Sequence, residues 1–216
     1  MSQPKLSIVI PALQEARRIS ATLDELAAYI KKMRWKDVEV VVVVAESPDG
    51  TAKLAHAKSP LFNNFRVIDA GSKAGKGRDV RLGLFSAAGE YRLFMDADLA
   101  TPLQHLEAVR ELMDQNIPVI IAVRDLQSSH SGLRKLLSAS GNLLVRTLLL
   151  PGIKDTQCGF KAFSAEAVER LFSRQYIMGW GFDMEILAIA RMQKLQIAQI
   201  KAPDWEDKPD GTFEGE

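Results

Sequence analysis

The chain has 216 residues, 47% of them hydrophobic and 25% charged, enough apolar material for a sizeable core. Its formal net charge of +1 excludes a global field for nucleic acid, so any basic patch must be local. The lone cysteine, Cys158, excludes an internal disulfide and fits a reducing compartment.

The first apolar stretch, in "MSQPKLSIVIPALQEARR", is too short for a secretory leader. No uncharged apolar run approaches the roughly 20 residues that span a bilayer, so the chain is expected to be soluble or peripheral to a membrane. "LSIVIPA" and "VEVVVVVA" read as strands buried on both faces of a parallel sheet. Between them, Ile19, Leu23, Leu26, Ala27 and Ile30 fall at helical spacing. "SPDGT" predicts a turn at Asp49-Gly50 and a helix capped by Thr51. "FRVIDA" is a third strand, "RDVRLGLFSAA" a helix and "EYRLFMDA" a fourth strand. "PLQHLEAVRELMDQ" opens a helix with Pro102 at its first position, and "PVIIAV" is a fifth strand. Strands alternating with helices predict an α/β fold, its mostly parallel sheet covered on both sides. The first half, to about residue 125, reads as a nucleotide-binding type of domain.

Beyond "SSHSG" the order changes. "LRKLLSASGNLLVRTLLL" reads as an amphipathic helix, "CGFKAF" as a short strand, "FDMEILAIARMQ" as a helix, and "WEDKPDGTFEGE" as a loose polar tail. There is no internal repeat and no low-complexity linker, so the second half is taken as an appendage on one domain.

"DAGSKAGKGRDVRLG", residues 69–83, crowds glycines among Lys73, Lys76, Arg78 and Arg81 before a helix. A Walker A loop would need glycine at position 70 and Ser or Thr at 77, where the chain has Ala70 and Gly77. A dinucleotide fingerprint fails as well, since position 80 is Val80 and the loop follows the third strand. Glycines that let a ligand approach the backbone, lysines and a helix N-terminus still suit a diphosphate. A solvated βα loop is the plainer reading.

In "LFMDADLATP", Asp96 and Asp98 leave the carboxyl end of a strand, and alternation along an extended chain would aim both carboxylates the same way. Close, deprotonated carboxylates need a cation, and oxygen ligands beside a diphosphate suit Mg²⁺ or Mn²⁺. Two helix-capping aspartates are the alternative.

"SIVIPALQEARRI", "SPDGTA", "GKGRDVRLGLFSAAGEYRLFMDADLATP", "RKLLSASGNLL" and "DTQCGFKAF" lie in an order that resembles family-two glycosyltransferases of the GT-A fold. Within that family the chain looks most like the dolichyl-phosphate (polyprenyl-phosphate) mannose and glucose synthases. The resemblance implies one GT-A domain over residues 1–216: a nucleotide-sugar half (1–125), an acceptor half (126–205) and a loose tail (206–216). It implies that Pro11, Ala12 and Glu15 line the nucleotide, that Asp96 sits near ribose and metal, and that Asp98 is the metal ligand proper. Arg124 matches the family's phosphate-binding arginine. Arg134 and Ser138 match the pair that holds the acceptor phosphate, and residues 155–160 match the loop over sugar and acceptor. Three positions depart from the pattern. Val44-Ala45 stand where the family has paired aspartates, with Glu46 nearby as a substitute out of spacing. Ala100 replaces a glutamine of the mannose enzymes, in a segment closer to the glucosyl type, and Gln14 replaces an asparagine.

The implied reaction moves glucose or mannose from a nucleotide sugar (UDP-glucose or GDP-mannose) to a lipid phosphate, with inversion. The acceptor phosphate, with a second pKa near 6, is largely dianionic at neutral pH and strictly needs no general base. Arginine forks that grip phosphate matter more, hence Arg124 and Arg134, while Lys76 with Lys73 or Arg78 would steady the leaving diphosphate. Asp155 is either a sugar contact or base, or a turn stabiliser. The helix around Leu133, Leu136, Leu137, Leu144 and Leu148 either lies among lipid headgroups, with Lys135 and Arg146 toward anionic lipid, or packs in the core. The expected setting is cytoplasmic, at the cytoplasmic face of a membrane, with self-association left open. Two alternatives remain: a nucleotidyltransferase and a non-catalytic nucleotide-sugar-binding module. His56, His105 and His130 are too scattered for a metal trio and read as surface residues, and Cys158 reads as a packing residue. Trp180, Asp183 and Glu185 resemble a family segment near the acceptor, or serve core and helix surface.

Overall fold

A computed structural model describes residues 3–124 and 150–206. Its elements are β1 (Leu6–Ala12), α1 (Ile19–Lys32), β2 (Val38–Val44), α2 (Thr51–Ala57), β3 (Phe65–Asp69), α3 (Lys76–Ser86), β4 (Tyr91–Met95), α4 (His105–Asp114), β5 (Val119–Arg124), β6 (Phe160–Ser164), α5 (Ala165–Phe172), α6 (Phe182–Met192) and β7 (Ile197–Ala202). The strands form one seven-stranded sheet in the order β3-β2-β1-β4-β6-β5-β7, with β6 antiparallel to both neighbours.

The unbroken valine run of β2 has a direct cause. Val40, Val42 and Val44 join Ile8, Ile10 and the α1 residues Leu23 and Leu26 on one face of the sheet. Val41 and Val43 join Val9 and the α3 residues Val80 and Leu84 on the other. A strand covered on both faces has no polar side to alternate with. Glu39 is the exception within it, and its buried carboxylate accepts from Ser7 Oγ, Ala88 N and the Arg66 guanidinium. Every lone-pair direction that burial would strand is thereby met.

β6 runs against β4, with Met95 opposite Phe160, so the start of β6 meets the end of β4. This reversal delivers the segment before β6 to the carboxyl edge of the sheet, where ligands of open α/β sheets bind. The second half is therefore more than an appendage: β6 lies inside the sheet and β7 pairs in parallel with β5 along its edge.

Several local expectations are corrected. Thr51 is the first helical residue of α2 rather than its cap; Asp49 Oδ1 accepts from both its N–H and its hydroxyl. α4 begins at His105, and Pro102 opens a single turn ahead of it. α5 and β7 were missed, although Ser164 caps α5 by accepting from Ala167 N at 3.1 Å. Trp205 packs against the core and Glu206 N donates to Ala100 O, so the start of the expected loose tail is tied down. His105 is a packed residue, 2.6 Å from Asp204 through Nε2. Residues 125–149, which carry the expected amphipathic helix, Arg134, Ser138 and His130, lie outside the described residues, as do 207–216.

Candidate active site

At the carboxyl edge, β1 and β2 end side by side, and Ala45 N donates to Ala12 O, the last residue of β1 after Pro11. The loops that follow are stitched together: Gln14 N donates to Ser47 Oγ, Glu15 N to Thr51 Oγ1 and Ala16 N to Asp49 Oδ2. Glu46 sits exposed on the same edge, its N–H bonded to Gly71 O at 2.7 Å, which joins the loops after β2 and β3. The loop after β1 thus holds Glu15 over the sheet.

Asp96 and Asp98 follow β4 and line one small crevice with Gly159 and Trp205. Their convergence does not come from strand alternation. The chain turns at once, with Leu99 at φ 53°, and Ala97 O accepts from Thr22 Oγ1. The capping alternative holds for one oxygen, since Asp98 Oδ1 accepts from Ala100 N at 2.9 Å. Asp98 Oδ2 lies 3.9 Å from Arg18 Nη1, and Arg18 Nε pairs with Glu15 at 2.9 Å. Burial raises the carboxyl pKa values of Glu15 and Asp98; the charge of Asp96 adds to both and that of Asp98 to Glu15, against the lowering by Arg18 and, at Asp98, by the Ala100 N–H bond. Arg18 Nη2 is buried with no hydrogen-bond partner among the described residues. No sequence pattern singled out Arg18.

Lys76 opens α3 and reaches across to Asp96 Oδ1 at 2.5 Å, with its ammonium 4.7 Å from the centre of the Trp180 ring. Burial works against its charge, but Asp96, Asp183 and Asp98 together raise its pKa. The glycine before it has a steric reason: Gly75 sits at φ 112°, and a Cβ there would run into the backbone of Met178. The end of the basic loop, from Gly75 into α3, is thus clamped against the 175–181 segment, while Gly71 to Ala74, with Lys73 among them, stay exposed.

Arg124 ends β5 and grips Asp155 with two bonds, Nε to Oδ2 at 2.5 Å and Nη2 to Oδ1 at 3.0 Å. Its guanidinium lies 4.9 Å from the centre of Trp205, the ring that also lines the Asp96–Asp98 crevice. Burial pushes the Asp155 carboxyl up, yet the bonds and charge of Arg124 and the Gln157 N–H outweigh it and hold it below the usual range. Cys158 is buried and its thiol pKa is pushed up, the behaviour of a packing residue. Sequence reading missed Trp205, because a tryptophan in a polar tail carries no pattern, and Gly159, whose role is visible only in three dimensions.

A Cβ on Gly159 would overlap the Asp96 carboxylate, while Gly159 O accepts from Asp96 N at 3.1 Å. Gly159→Ala is therefore expected to displace Asp96, costing about 1–3 kcal/mol of stability and at least about tenfold in turnover. Thermal melting and initial rates check both, and an unchanged rate would contradict the packing argument.

A parallel-dominated sheet with one reversed inner strand, helices on both faces and paired aspartates at the carboxyl edge define the GT-A glycosyltransferase fold. Glucosyl-3-phosphoglycerate synthase from Mycobacterium tuberculosis, crystallised with Mn²⁺, UDP and glucosyl-3-phosphoglycerate, superposes with a TM-score of 0.71 at 22% identity, covering 96% of this chain and 74% of that one. The profile of glycosyl transferase family 2 matches residues 7–172, and the chain belongs to that family. It is 36% identical to a dolichyl-phosphate beta-glucosyltransferase of Homo sapiens, over 94% of this chain and 68% of that protein. A dolichyl-phosphate beta-glucosyltransferase of Dictyostelium discoideum is 32% identical over 94% of this chain and 66% of its own length. The chain thus spans about two thirds of the length of these relatives. Membership removes the nucleotidyltransferase alternative. Among the described residues no helix is long and apolar enough to cross a membrane.

Proposed function

We propose that the protein is an inverting glucosyltransferase that moves glucose from a nucleotide sugar, UDP-glucose, to a polyprenyl or dolichyl phosphate. The observation that carries the reading is the meeting of Lys76, from the glycine-rich loop, with Asp96 of the acidic pair at the carboxyl edge. The names of the 30–36% identical relatives choose the sugar and the acceptor. Its setting would be the cytoplasmic face of a membrane, through peripheral contact.

The acidic pair fits a divalent cation. Mg²⁺ and Mn²⁺ favour oxygen donors, and Mg²⁺ is commonly held by one or two carboxylates together with substrate phosphates. Asp96 and Asp98 present half-buried carboxylate oxygens to a crevice of about 10 Å³, near the volume one water-sized particle occupies. Among the described residues no third acidic, histidine or cysteine group completes a cluster, so the diphosphate would supply the other ligands. When bound, the ion would neutralise charge on the departing diphosphate.

The chain's own groups do the rest. Pro11, Ala12, Glu15 and Glu46 would border the nucleotide, and Arg18 Nη2, buried without a partner among the described residues, would donate to one of its oxygens. Lys76, already desolvated and charged, would stabilise the diphosphate as the sugar bond breaks. Arg124, oriented by Asp155 and backed by Trp205, would bring its guanidinium charge to the acceptor phosphate. Asp155 is committed to Arg124 and accepts from Gln157 N two residues on, which favours the turn-stabilising reading over that of a base. The acceptor dianion attacks the anomeric carbon directly, which inverts it, and no proton need be removed. Arg134 and Ser138 would complete the acceptor phosphate site.

The test is incubation with labelled UDP-glucose, Mn²⁺ and a short polyprenyl phosphate. A lipid-linked glucose is expected. Absence of product from UDP-glucose and GDP-mannose alike, with UDP binding retained, would replace this reading by that of a non-catalytic nucleotide-sugar module. Arg134→Ala is expected to raise the acceptor KM about tenfold or more, as loss of a charge-assisted bond requires, with donor KM unchanged. Initial rates at varied acceptor check this, and an unchanged acceptor KM would remove Arg134 from the site.

A further inference from the structure

Lys161 is the one buried cation that the reaction above leaves unused among the described residues. It stands in the middle of the sheet on β6, between Phe94 of β4 and Ile121 of β5, and is 1% exposed. Its ammonium donates to Asp183 Oδ1 at 2.5 Å and to Cys158 O at 2.6 Å, and lies 5.4 Å from the centre of the Phe94 ring. A lysine inside a central strand is costly, and an apolar residue would pack there at less expense. Its two bonds show what it acts on. Cys158 O belongs to the peptide that leads into Gly159, and Gly159 is the residue moulded around Asp96. Asp183, the other partner, also acts electrostatically on Lys76, the residue bonded to Asp96.

We propose that Lys161, with Asp183, is a positioning residue: it fixes the Cys158–Gly159 peptide against Asp96 and so sets the geometry of the acidic pair. The charges alternate through the structure, from Lys161 to Asp183, Lys76 and Asp96, so each side chain has a counter-charge that limits where it can go. Such support behind a ligand typically changes affinity or activity 10–100-fold when removed. The inference rests on the proposed role of Asp96 in nucleotide binding, but its structural core, the clamp on the Cys158 peptide, stands apart from that role.

The test separates positioning from plain stability. Lys161→Met alone leaves Asp183 buried without its partner and is expected to lower the melting temperature. The double variant Lys161→Met, Asp183→Leu removes both charges and should recover most of it. Cys158 is the chain's single cysteine and fully buried, so its labelling by an aromatic disulfide reagent reports opening of the clamped segment. In the double variant labelling should run at least about tenfold faster than in wild type despite the recovered melting temperature. Calorimetric titration with Mn²⁺ and UDP should show binding weakened by about 10–100-fold. A double variant whose Cys158 reacts at the wild-type rate would overturn the clamp. Faster labelling with wild-type affinity for Mn²⁺ and UDP would overturn the effect on Asp96. Wild-type protein that binds no UDP would instead defeat the nucleotide-sugar reading, and the labelling rates would still decide whether Lys161 holds the segment.

Discussion

Asp98→Ala is expected to lower turnover by about 10³-fold, the loss that follows when a group stabilising the leaving charge is removed. The side chain is only half-buried, and its one local bond, from Ala100 N, is worth about 1 kcal/mol, so the chain should still fold. Asp98→Asn sharpens the result, because an amide oxygen can keep the Ala100 bond while the charge is gone. Both variants should lose Mn²⁺-dependent transfer yet melt near the wild-type temperature. Near-normal metal-dependent rates in either would show that the cation, if used, is held elsewhere.

Arg124→Ala should have the largest effect on stability, about 3 kcal/mol at neutral pH, together with loss of acceptor use. Asp155 has only 3% of its side chain exposed, and without the guanidinium it becomes a buried charge with two backbone N–H donors left. The effect depends on pH with a definite sign. The folded-state pKa of Asp155 is depressed, so its contribution is present above the unfolded value of about 4 and disappears as pH falls through the lower folded value. In the variant burial dominates and the carboxyl pKa rises, so protonation relieves it. Denaturant titrations at pH 7 and below pH 4 should show the gap between wild type and variant shrinking on acidification. A gap that stays constant would mean that the pair does not carry the difference.

The pairing of Asp96 with Asp98 is readable in the sequence because both residues sit within one short stretch, but strand alternation does not account for it, since β4 ends at Met95. A turn at Ala97-Asp98, which follows directly on the end of β4, carries the pair in place of the pleat of a strand. The basic loop was readable as phosphate-type chemistry from its glycines and lysines. That Lys76 is the lysine that reaches the acidic pair depends on how α3 docks against the 175–181 segment, which lies about a hundred residues away in sequence. Nothing near His105 in the chain predicts its burial, because its partner Asp204 comes from the far end.

By itself the sequence determined the first five strands and the helices between them, since periodicity and breakers are local, and it determined the order of motifs that marks the family. It also located the acidic pair and the glycine- and lysine-rich loop before α3. Only the tertiary structure decided that β6 enters the sheet backwards between β4 and β5, and that Gly159, Arg124–Asp155, Trp205 and Lys161 all bear on the same edge. The physical reason is the same in each case. Strand insertion, a missing Cβ, a buried ion pair and a ring against a guanidinium are contacts between segments far apart in the chain. Their energies come from burial and pairing across the sheet, which no stretch of residues taken alone contains.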